Sequence, residues 1–337
     1  MRKAVVILLG LIFLGPHKGQ AIGSKVWRQW IHQASQMSNP KQRDQALWRL
    51  GLKGILYQRN KDAERILKFL LKSPFLSQDE VHLNLGRLYY QERRFKKAIQ
   101  EYQKVPLLSE FWLEAKEEMA WAYLKIGKPD RALSQLETLL TPYFSSLVQP
   151  EAYYLASLIH LKTCNYEGVF KVSAQFKKAY KKRIRHLEQI RRGELSKTQK
   201  DLIFKNSSFN FETVGAQAYE LPSLFYKDTL FLKSLRQFHK NPSVHKVQKV
   251  IQRLQALAQR DLKAIKDTIH LLQVVEAEVI QRLYGGPKAV MQATRGPQPR
   301  KGQLVFPVDP KEVWIDELDS YQVNTSSCPY YKKVGRL

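Results

Sequence analysis

The sequence contains very little cysteine: Cys164 and Cys328 are the only two among its 337 residues. Two cysteines cannot form a four-thiolate zinc site, and the eight histidines show no His-Glu-x-x-His pattern. We therefore expect no metal ion and no cofactor. In an oxidising compartment the two cysteines could form a disulfide that ties the C-terminal region to the rest of the chain. The alternative is two separate buried thiols.

Patterns that accompany catalysis are also missing. Gly285-Gly286 lacks the lysine and the serine or threonine of a phosphate-binding loop, and no serine lies in a nucleophile-elbow sequence. Asp316 and Glu317 could serve as the paired carboxylates of an envelope glycan hydrolase. Sequence neighbours on a short helix point in different directions, however, and a charged outer face explains them better. We predict that the protein is not an enzyme.

Long apolar runs are absent except at the N-terminus. Arg2 and Lys3 precede an apolar run over residues 4–15, and the small residues Gly19 and Ala21 follow it. This order is typical of a secretory signal peptide, here residues 1–21, and the run is shorter than the roughly 20 residues that span a bilayer. An uncleaved anchor or a simple apolar start is the alternative. We expect an exported protein, periplasmic or associated with the cell envelope, with no transmembrane segment after signal removal.

Acidic residues are too few to balance the basic ones. The chain has 56 lysines and arginines but only 30 aspartates and glutamates, which gives a formal net charge of +26. Such a charge attracts anionic partners over a range set by the salt concentration. Because no nucleic-acid reader motif accompanies it, we expect no nucleic acid as a partner and favour an acidic protein or an anionic envelope surface.

The densest basic stretch lies within residues 171–200. It predicts either an electrostatic docking patch or an ordinary solvated helix face. The residues of this basic patch are Lys177, Lys178, Lys181, Lys182, Arg183, Arg185, Arg191 and Arg192.

The chain does contain an internal repeat. Leu85-Gly86-x-x-Tyr89 followed by Ala98-x-x-x-Tyr102 recurs 34 positions later as Met119-Ala120-x-x-Tyr123 followed by Ala132-x-x-x-Leu136. Small residues at these positions would let two antiparallel helices approach closely, while the large ones fill the contact. Weaker copies lie one period to each side. The predicted units are 44–78, 79–112, 113–148 and 149–182.

This pattern resembles the tetratricopeptide repeat (TPR) family over about 140 of the 337 residues. The chain departs from the family at Gly54, where an aromatic residue is usual, at Glu110 and Phe144, where proline is usual, and at Gly168, where alanine is usual. Such degeneracy is typical of terminal, capping repeats. The resemblance implies an all-α solenoid of helical hairpins that binds protein or peptide partners and does not catalyse. An unrelated stack of helical hairpins is the alternative.

The resemblance also implies a concave groove lined by the first helix of each hairpin. Side chains that hairpin packing does not use would point into this groove, and their basic and amide character suits an acidic segment or a C-terminal carboxylate. The partner-binding residues expected there are Asn84, Arg87, Tyr90, Lys116 and Lys125.

Helices are expected on both sides of the repeats. A capping helix is predicted within residues 22–43, and a helical extension over 183–285 contains a helix near 224–238. The extension ends in a long amphipathic, coiled-coil-like helix over 243–284, a stretch with neither proline nor glycine between Pro242 and Tyr284. This helix either packs against its own chain or pairs with another one.

The remaining residues form a predicted linker over 286–302 and a tail over 303–337. In the tail, Trp314, Leu318 and Tyr321 would share one face of a short helix, while acidic residues face away. Such a tail either folds back onto a basic surface of its own chain or docks on a partner.

The order of repeat array, long helix and aromatic tail is faintly similar to that of envelope TPR proteins of gliding and predatory bacteria. This similarity favours a non-catalytic exported adaptor or scaffold of the bacterial cell envelope. The alternative is a structural protein whose basic charge holds it to an anionic envelope surface, such as lipopolysaccharide, phospholipid or a wall polymer.

Overall fold

A computed structural model describes residues 23–284, except for gaps at 142–143, 145–146, 207, 210, 215–218 and 224, together with residues 323, 325 and 328. The predicted signal peptide, the linker, and Trp314 to Tyr321 of the tail lie outside the described residues. The described part is helical and contains no strand, which confirms the all-α prediction. It divides into two compact units, one up to Lys128 and one from Pro129 onward.

The described part of the first unit, from residue 23 onward, contains six helices that pack in chain order. A proline opens α2, and Asn39 caps it by accepting hydrogen bonds from two backbone amides. Ser77 caps α4 by accepting one hydrogen bond, from the Glu80 amide. The helices are α1 (Ser24–Ser35), α2 (Pro40–Leu56), α3 (Asn60–Leu70), α4 (Gln78–Gln91), α5 (Phe95–Tyr102) and α6 (Trp112–Lys125).

Helix α1 covers the open end of the first hairpin, α2–α3. Trp27 is almost fully buried, and its indole Nε1–H donates a hydrogen bond to Asp62 Oδ2 at 3.1 Å. A Cβ atom on Gly54 would lie 3.4 Å from the Trp27 ring, so the tryptophan fills the space left by the glycine. The indole takes the place that an aromatic residue at position 54 would otherwise fill.

Small residues let the two helices pack closely in the first and second hairpins. In the second hairpin, α4–α5, a Cβ atom on Gly86 would lie 2.6 Å from Cδ1 of the buried Tyr102 ring. In the first hairpin, a Cβ atom on Gly54 would lie 3.0 Å from the Ala63 Cβ. These approaches are the ones that the repeat pattern predicts at its small positions.

The turn between the two helices of a repeat has the same backbone geometry in all four repeats. One residue adopts a left-handed conformation, with φ of 58° at Gln58, 60° at Arg93, 74° at Gly127 and 57° at Cys164. The amide of the residue after it bonds to the carbonyl five positions upstream, for example Arg94 N to Tyr89 O at 2.8 Å. This is the Schellman motif. The sequence pattern therefore reflects a repeated hairpin turn.

Glu64 joins the first hairpin to the second. It lies on α3 and accepts hydrogen bonds from the Tyr89 hydroxyl at 2.9 Å and from Arg94 Nη1 at 3.0 Å, and it pairs with Lys68 at 2.7 Å. Partial burial would raise the pKa of Glu64, but the hydrogen bonds from Lys68, Tyr89 and Arg94 lower it to about 2. The carboxylate therefore stays ionised and holds the two hairpins in register.

The second unit is built around two long helices, α9 and α13. Its helices are α7 (Pro129–Leu139), α8 (Pro150–Lys162), α9 (Tyr166–Arg191), α10 (Lys197–Lys205), α11 (Phe211–Val214), α12 (Thr229–Lys240) and α13 (Val244–Tyr284), with a 3-10 turn at Phe225–Lys227 before α12.

Helix α13 packs against its own chain. It lies along α8, α9 and α12, and Val275 and Val279 join Leu161, Tyr166 and Val169 in one buried cluster. The prediction of a single long helix here is confirmed, with a start at residue 244 instead of 243. Packing within the chain is therefore the alternative that the structure supports.

The structure has no break at the predicted boundary between the fourth repeat and the extension. Helix α9 begins at Tyr166 as the second helix of the repeat and continues without interruption to Arg191, because α13 supplies a buried face along its whole length. The predicted helix near 224–238 is the 3-10 turn followed by α12. Asp228 caps α12 through its Oδ1, which accepts from Phe231 N at 2.7 Å, and it also pairs with Arg253 of α13.

His160 explains the glycine of the fourth repeat. A Cβ atom on Gly168 would lie 2.7 Å from Nδ1 of the His160 ring, so the alanine usual at this position would not fit. The side-chain amide of Asn165 donates to the same Nδ1 at 3.1 Å, and its carbonyl oxygen accepts from Gly168 N. Burial, with a smaller contribution from Lys171, lowers the pKa of His160 to about 4.

Gly86→Ala is expected to destabilise the first unit by about 1–3 kcal/mol, because the added methyl group meets a buried ring that cannot move. A glycine-to-alanine change within a helix ordinarily stabilises by up to about 1 kcal/mol, so the sign is diagnostic. Urea unfolding measures the change. Gly23→Ala is the control, since nothing lies within 4 Å of its added Cβ. A Gly86→Ala protein as stable as the wild type would contradict this account.

The stability of the second unit should depend on pH through His160. The unfolded imidazole, with a pKa of about 6.5, takes up a proton that the folded one resists until about pH 4. Stability should therefore be lost as the pH falls from about 6.5 to about 4, by at most about 3 kcal/mol, and His160→Gln should remove this loss. Urea unfolding across this range tests it, with the exposed His270→Gln as control. If the free energy of unfolding depended on pH in the same way for the wild type and for His160→Gln, the pH dependence could not be assigned to His160.

Candidate interaction site

The predicted groove residue Arg87 lies on α4, but it is not free to bind a ligand. Its guanidinium bonds to Glu118 of α6 through Nη2 at 2.6 Å and through Nε at 2.8 Å, and to Glu114 through Nη2 at 2.8 Å. All three side chains are largely buried. Arg87 thus joins the first helices of two successive repeats, which corrects its predicted role as a receptor for an acidic ligand.

The charges of Arg87, Glu114 and Glu118 act mainly on one another. Burial raises the pKa of Glu118, and the neighbouring guanidinium of Arg87 offsets only part of that effect. Burial acts in the opposite direction on Arg87, but Glu118 and Glu114 raise its pKa further above the usual range. With two carboxylates beside one guanidinium, the cluster has no excess positive charge, which leaves little attraction for an outside anion.

The other predicted groove residues have different surroundings. Asn84 is buried, and its amide donates to the Glu80 carbonyl at 2.8 Å. The Tyr90 ring packs edge-on against Phe95 at 5.2 Å, and Lys116 is buried with its ammonium 5.4 Å from the centre of the Trp112 ring. Of the five, only Lys125 is exposed. For Arg87 and Tyr90, prediction from one helix omitted the carboxylates of α6 and the Phe95 ring of α5.

The predicted basic patch lies on α9 and is also smaller than expected. Arg183 is buried: its Nη2 lies 3.7 Å from Asp261 Oδ2 of α13 and donates to the Leu221 carbonyl at 3.2 Å. Asp261 in turn accepts hydrogen bonds from the amide and hydroxyl of Ser223. Arg183 is therefore part of the packing between α9 and α13 and cannot contribute to a docking surface.

Two further members of the patch are exposed but already paired. Arg191 bonds to Glu188 one turn earlier on the same helix, with the Nη2 atom 2.7 Å from Glu188 Oε2. The Lys177 ammonium lies 3.6 Å from a carboxylate oxygen of Glu276 on α13. Exposed pairs of this kind contribute little to stability, but they reduce the local charge.

Five members remain exposed, and within the described part of the chain no acidic side chain pairs with them. They recur at helical spacing on the side of α9 opposite its buried face, over about 21 Å of helix. We call these residues the basic ridge: Lys178, Lys181, Lys182, Arg185 and Arg192.

Residues 58–107 match the family model described as tetratricopeptide repeat. The chain thus contains a tetratricopeptide repeat segment. The match begins at Gln58, the left-handed residue of the first hairpin turn, and covers the whole second hairpin. Tetratricopeptide repeats are helical scaffolds for interactions between proteins. No curated protein matches the chain.

The two cysteines of the chain are joined in the structure. Cys164, the left-handed residue of the fourth hairpin turn, forms a disulfide with Cys328, with a Cα–Cα distance of 5.3 Å. Cys164 packs against the buried cluster at the end of α13, beside Leu283. A bond between these positions fixes the C-terminal region to the fourth repeat.

Among the described residues, no helix is long and apolar enough to cross a membrane. In the same part of the chain, histidine, cysteine, aspartate and glutamate form no group that could hold a metal ion. Asp316 and Glu317, considered as hydrolase carboxylates, lie outside it.

Replacing Arg87 with methionine should destabilise the first unit by about 3–5 kcal/mol, because two buried carboxylates lose their counter-charge. The double variant Arg87→Met/Glu118→Met should recover part of this loss, since one of the stranded charges is gone. Urea unfolding provides the measurement, and the exposed Lys125→Met provides the control. Equal stability of Arg87→Met and Lys125→Met would exclude a buried cation at position 87.

Proposed function

We propose that this tetratricopeptide repeat protein is a non-catalytic adaptor of the bacterial cell envelope that binds an acidic protein partner after export. The repeat array supports the adaptor role. The N-terminal sequence with its basic start and apolar run supports export, and the excess of 56 basic over 30 acidic residues supports the acidic character of the partner.

The observation that carries the proposal is the basic ridge. Five like charges repel one another along one helix face, which raises the free energy of the unbound protein. A row of carboxylates on a partner would relieve that repulsion in the bound state. The predicted groove cations serve this purpose less well, because Arg87 and Lys116 are buried among side chains of their own unit. An acidic partner therefore binds on the ridge, and the exposed Lys125 is the remaining cation of the groove set.

A second function is favoured by where the ridge lies on α9. Because all five side chains project from the side of the helix opposite its packed face, a planar anionic surface can reach them together. The protein would then be a structural component held on phospholipid, lipopolysaccharide or a wall polymer by charge. Such attachment should disappear as salt shortens the Debye length from about 10 Å at 0.1 M to about 3 Å at 1 M.

One set of variants tests both functions. The ridge variant carries Lys178→Glu, Lys181→Glu, Lys182→Glu, Arg185→Glu and Arg192→Glu. The matched control has the same change in net charge at five exposed lysines of the first unit, Lys41→Glu, Lys61→Glu, Lys96→Glu, Lys97→Glu and Lys128→Glu. The adaptor function predicts that proteins crosslinked to the wild type in native envelopes are lost from the ridge variant and kept by the control.

The same proteins are then sedimented with phosphatidylglycerol vesicles and with neutral phosphatidylcholine vesicles at about 0.1 M and about 1 M salt. Surface attachment predicts cosedimentation with the anionic vesicles alone, lost in the ridge variant and at high salt. Crosslinked partners that are identical for the wild type, the ridge variant and the control would refute a role for the ridge in the adaptor. Equal sedimentation of all three proteins would refute surface attachment through it.

A further inference from the structure

Three large apolar side chains are exposed where α13 ends and α9 begins. The exposed fraction is 41% for Phe170, 45% for Ile280 and 88% for Tyr284. Isolated exposed apolar residues are common, but neighbouring ones on a rigid surface mark a contact site. Whether these three are neighbours follows from how the two helices pair.

The pairing of α9 with α13 places all three on one side. Val169 packs with Val275 and Val279, and Lys177 pairs with Glu276, which fixes the antiparallel register of the two helices. Ile280 and Tyr284 follow Glu276 by one and two turns on α13, so they share its face. Phe170 precedes Lys177 by two turns on α9. We call Phe170, Ile280 and Tyr284 the apolar strip.

The same side of α9 becomes basic beyond the strip. Lys178 and Lys181 follow Phe170 by eight and eleven residues and are exposed, and they are the first two members of the basic ridge. The surface therefore presents aromatic and aliphatic groups at one end and unpaired ammonium groups at the other. A complementary ligand would combine aromatic side chains with several carboxylates within a short segment.

The chain itself carries such a segment, in residues outside the structure. Trp314, Leu318 and Tyr321 alternate with Asp316, Glu317 and Asp319 in a protein that is otherwise strongly basic. This composition is complementary to the surface in both its apolar and its charged part. Since the sequence has an excess of basic residues, an arbitrary stretch of the chain would not be expected to match both the apolar and the charged part of the surface.

The disulfide keeps this segment near the surface. The chain leaves at Tyr284, a member of the apolar strip, and returns at Cys328, which is bonded to Cys164 beside the cluster that underlies the strip. Tyr321 is seven residues from Cys328, so it lies within about 25 Å of it even when fully extended. Trp314 is fourteen residues away, which for a flexible chain gives a typical distance of about 20 Å. A tether of this length gives the segment a local concentration in the millimolar range.

We propose that the segment Trp314–Tyr321 docks in cis on the surface formed by the apolar strip, Lys178 and Lys181. The aromatic side chains cover Phe170, Ile280 and Tyr284, and the three carboxylates face the lysines. The docked tail then occupies one end of the basic ridge, while Arg185 and Arg192 stay accessible. An external acidic partner must compete with the tail for Lys178 and Lys181.

The test follows Trp314 in the full-length protein. The chain is labelled with 5-fluorotryptophan, and the ¹⁹F resonance that is missing from Trp314→Phe is assigned to Trp314. A soluble gadolinium chelate then reports solvent access. In the wild type the Trp314 signal should be protected, and it should relax several-fold faster in Phe170→Ser/Ile280→Ser, in Lys178→Glu/Lys181→Glu and in Cys328→Ser. The control is Leu230→Ser, which removes an equally exposed apolar side chain of α12.

Circular dichroism and thermal unfolding establish that the variants remain folded. A Trp314 signal that is equally accessible in the wild type and in all variants would overturn the proposal. Protection that varies with protein concentration would also overturn it, because the segment would then dock on a second copy. These outcomes are independent of the crosslinking experiment, since that experiment reports partners of the whole ridge and this one reports only Trp314.

Discussion

In the first, second and fourth hairpins, a small residue of one helix packs directly against a side chain of the other, and the rest of the structure depends on this constraint. At Gly86 there is no space for even one methyl group against Tyr102, and at Gly168 the space is taken by the His160 ring. Where the helices approach this closely, the large residues opposite the small ones become fully buried, and the turn must reverse the chain within a few residues. The left-handed residue and the Schellman bonds accomplish this reversal.

Once the hairpins are formed, charged side chains determine how they join. Glu64 connects the first hairpin to the second through Tyr89 and Arg94, and Arg87 connects α4 to α6 through two carboxylates. In the second unit, Asp261 and Asp228 act similarly toward arginines of the facing helices. A strongly basic chain thus places many of its few acidic residues in contacts that hold helices together. Within the described residues, the lysines and arginines of the basic ridge have no such acidic partner.

The period, the helical class and the long final helix could be predicted from the sequence because each leaves a local pattern. Gly86, Ala98, Ala120 and Ala132 mark the hairpin contacts at fixed spacing, and the absence of proline and glycine marks α13. The candidate site could not be predicted in the same way. Whether Arg87 is free depends on Glu118, 31 positions away, and whether Arg183 is exposed depends on Asp261 on another helix. For Arg87 and Glu118, the signal in the sequence was a pair of opposite charges about one repeat apart. For Arg183 and Asp261, the sequence has no periodic pattern from which the pair could be predicted.

Helix α9 belongs to the last hairpin and to the extension at the same time. It is one unbroken rod of 26 residues, about 39 Å long, and no joint separates the turn at Cys164 from Arg185 near its other end. A load placed on the basic ridge would therefore be transmitted along one continuous helix to the turn of the fourth repeat. The disulfide at Cys164 lies at the end of the helix where such a load would be received.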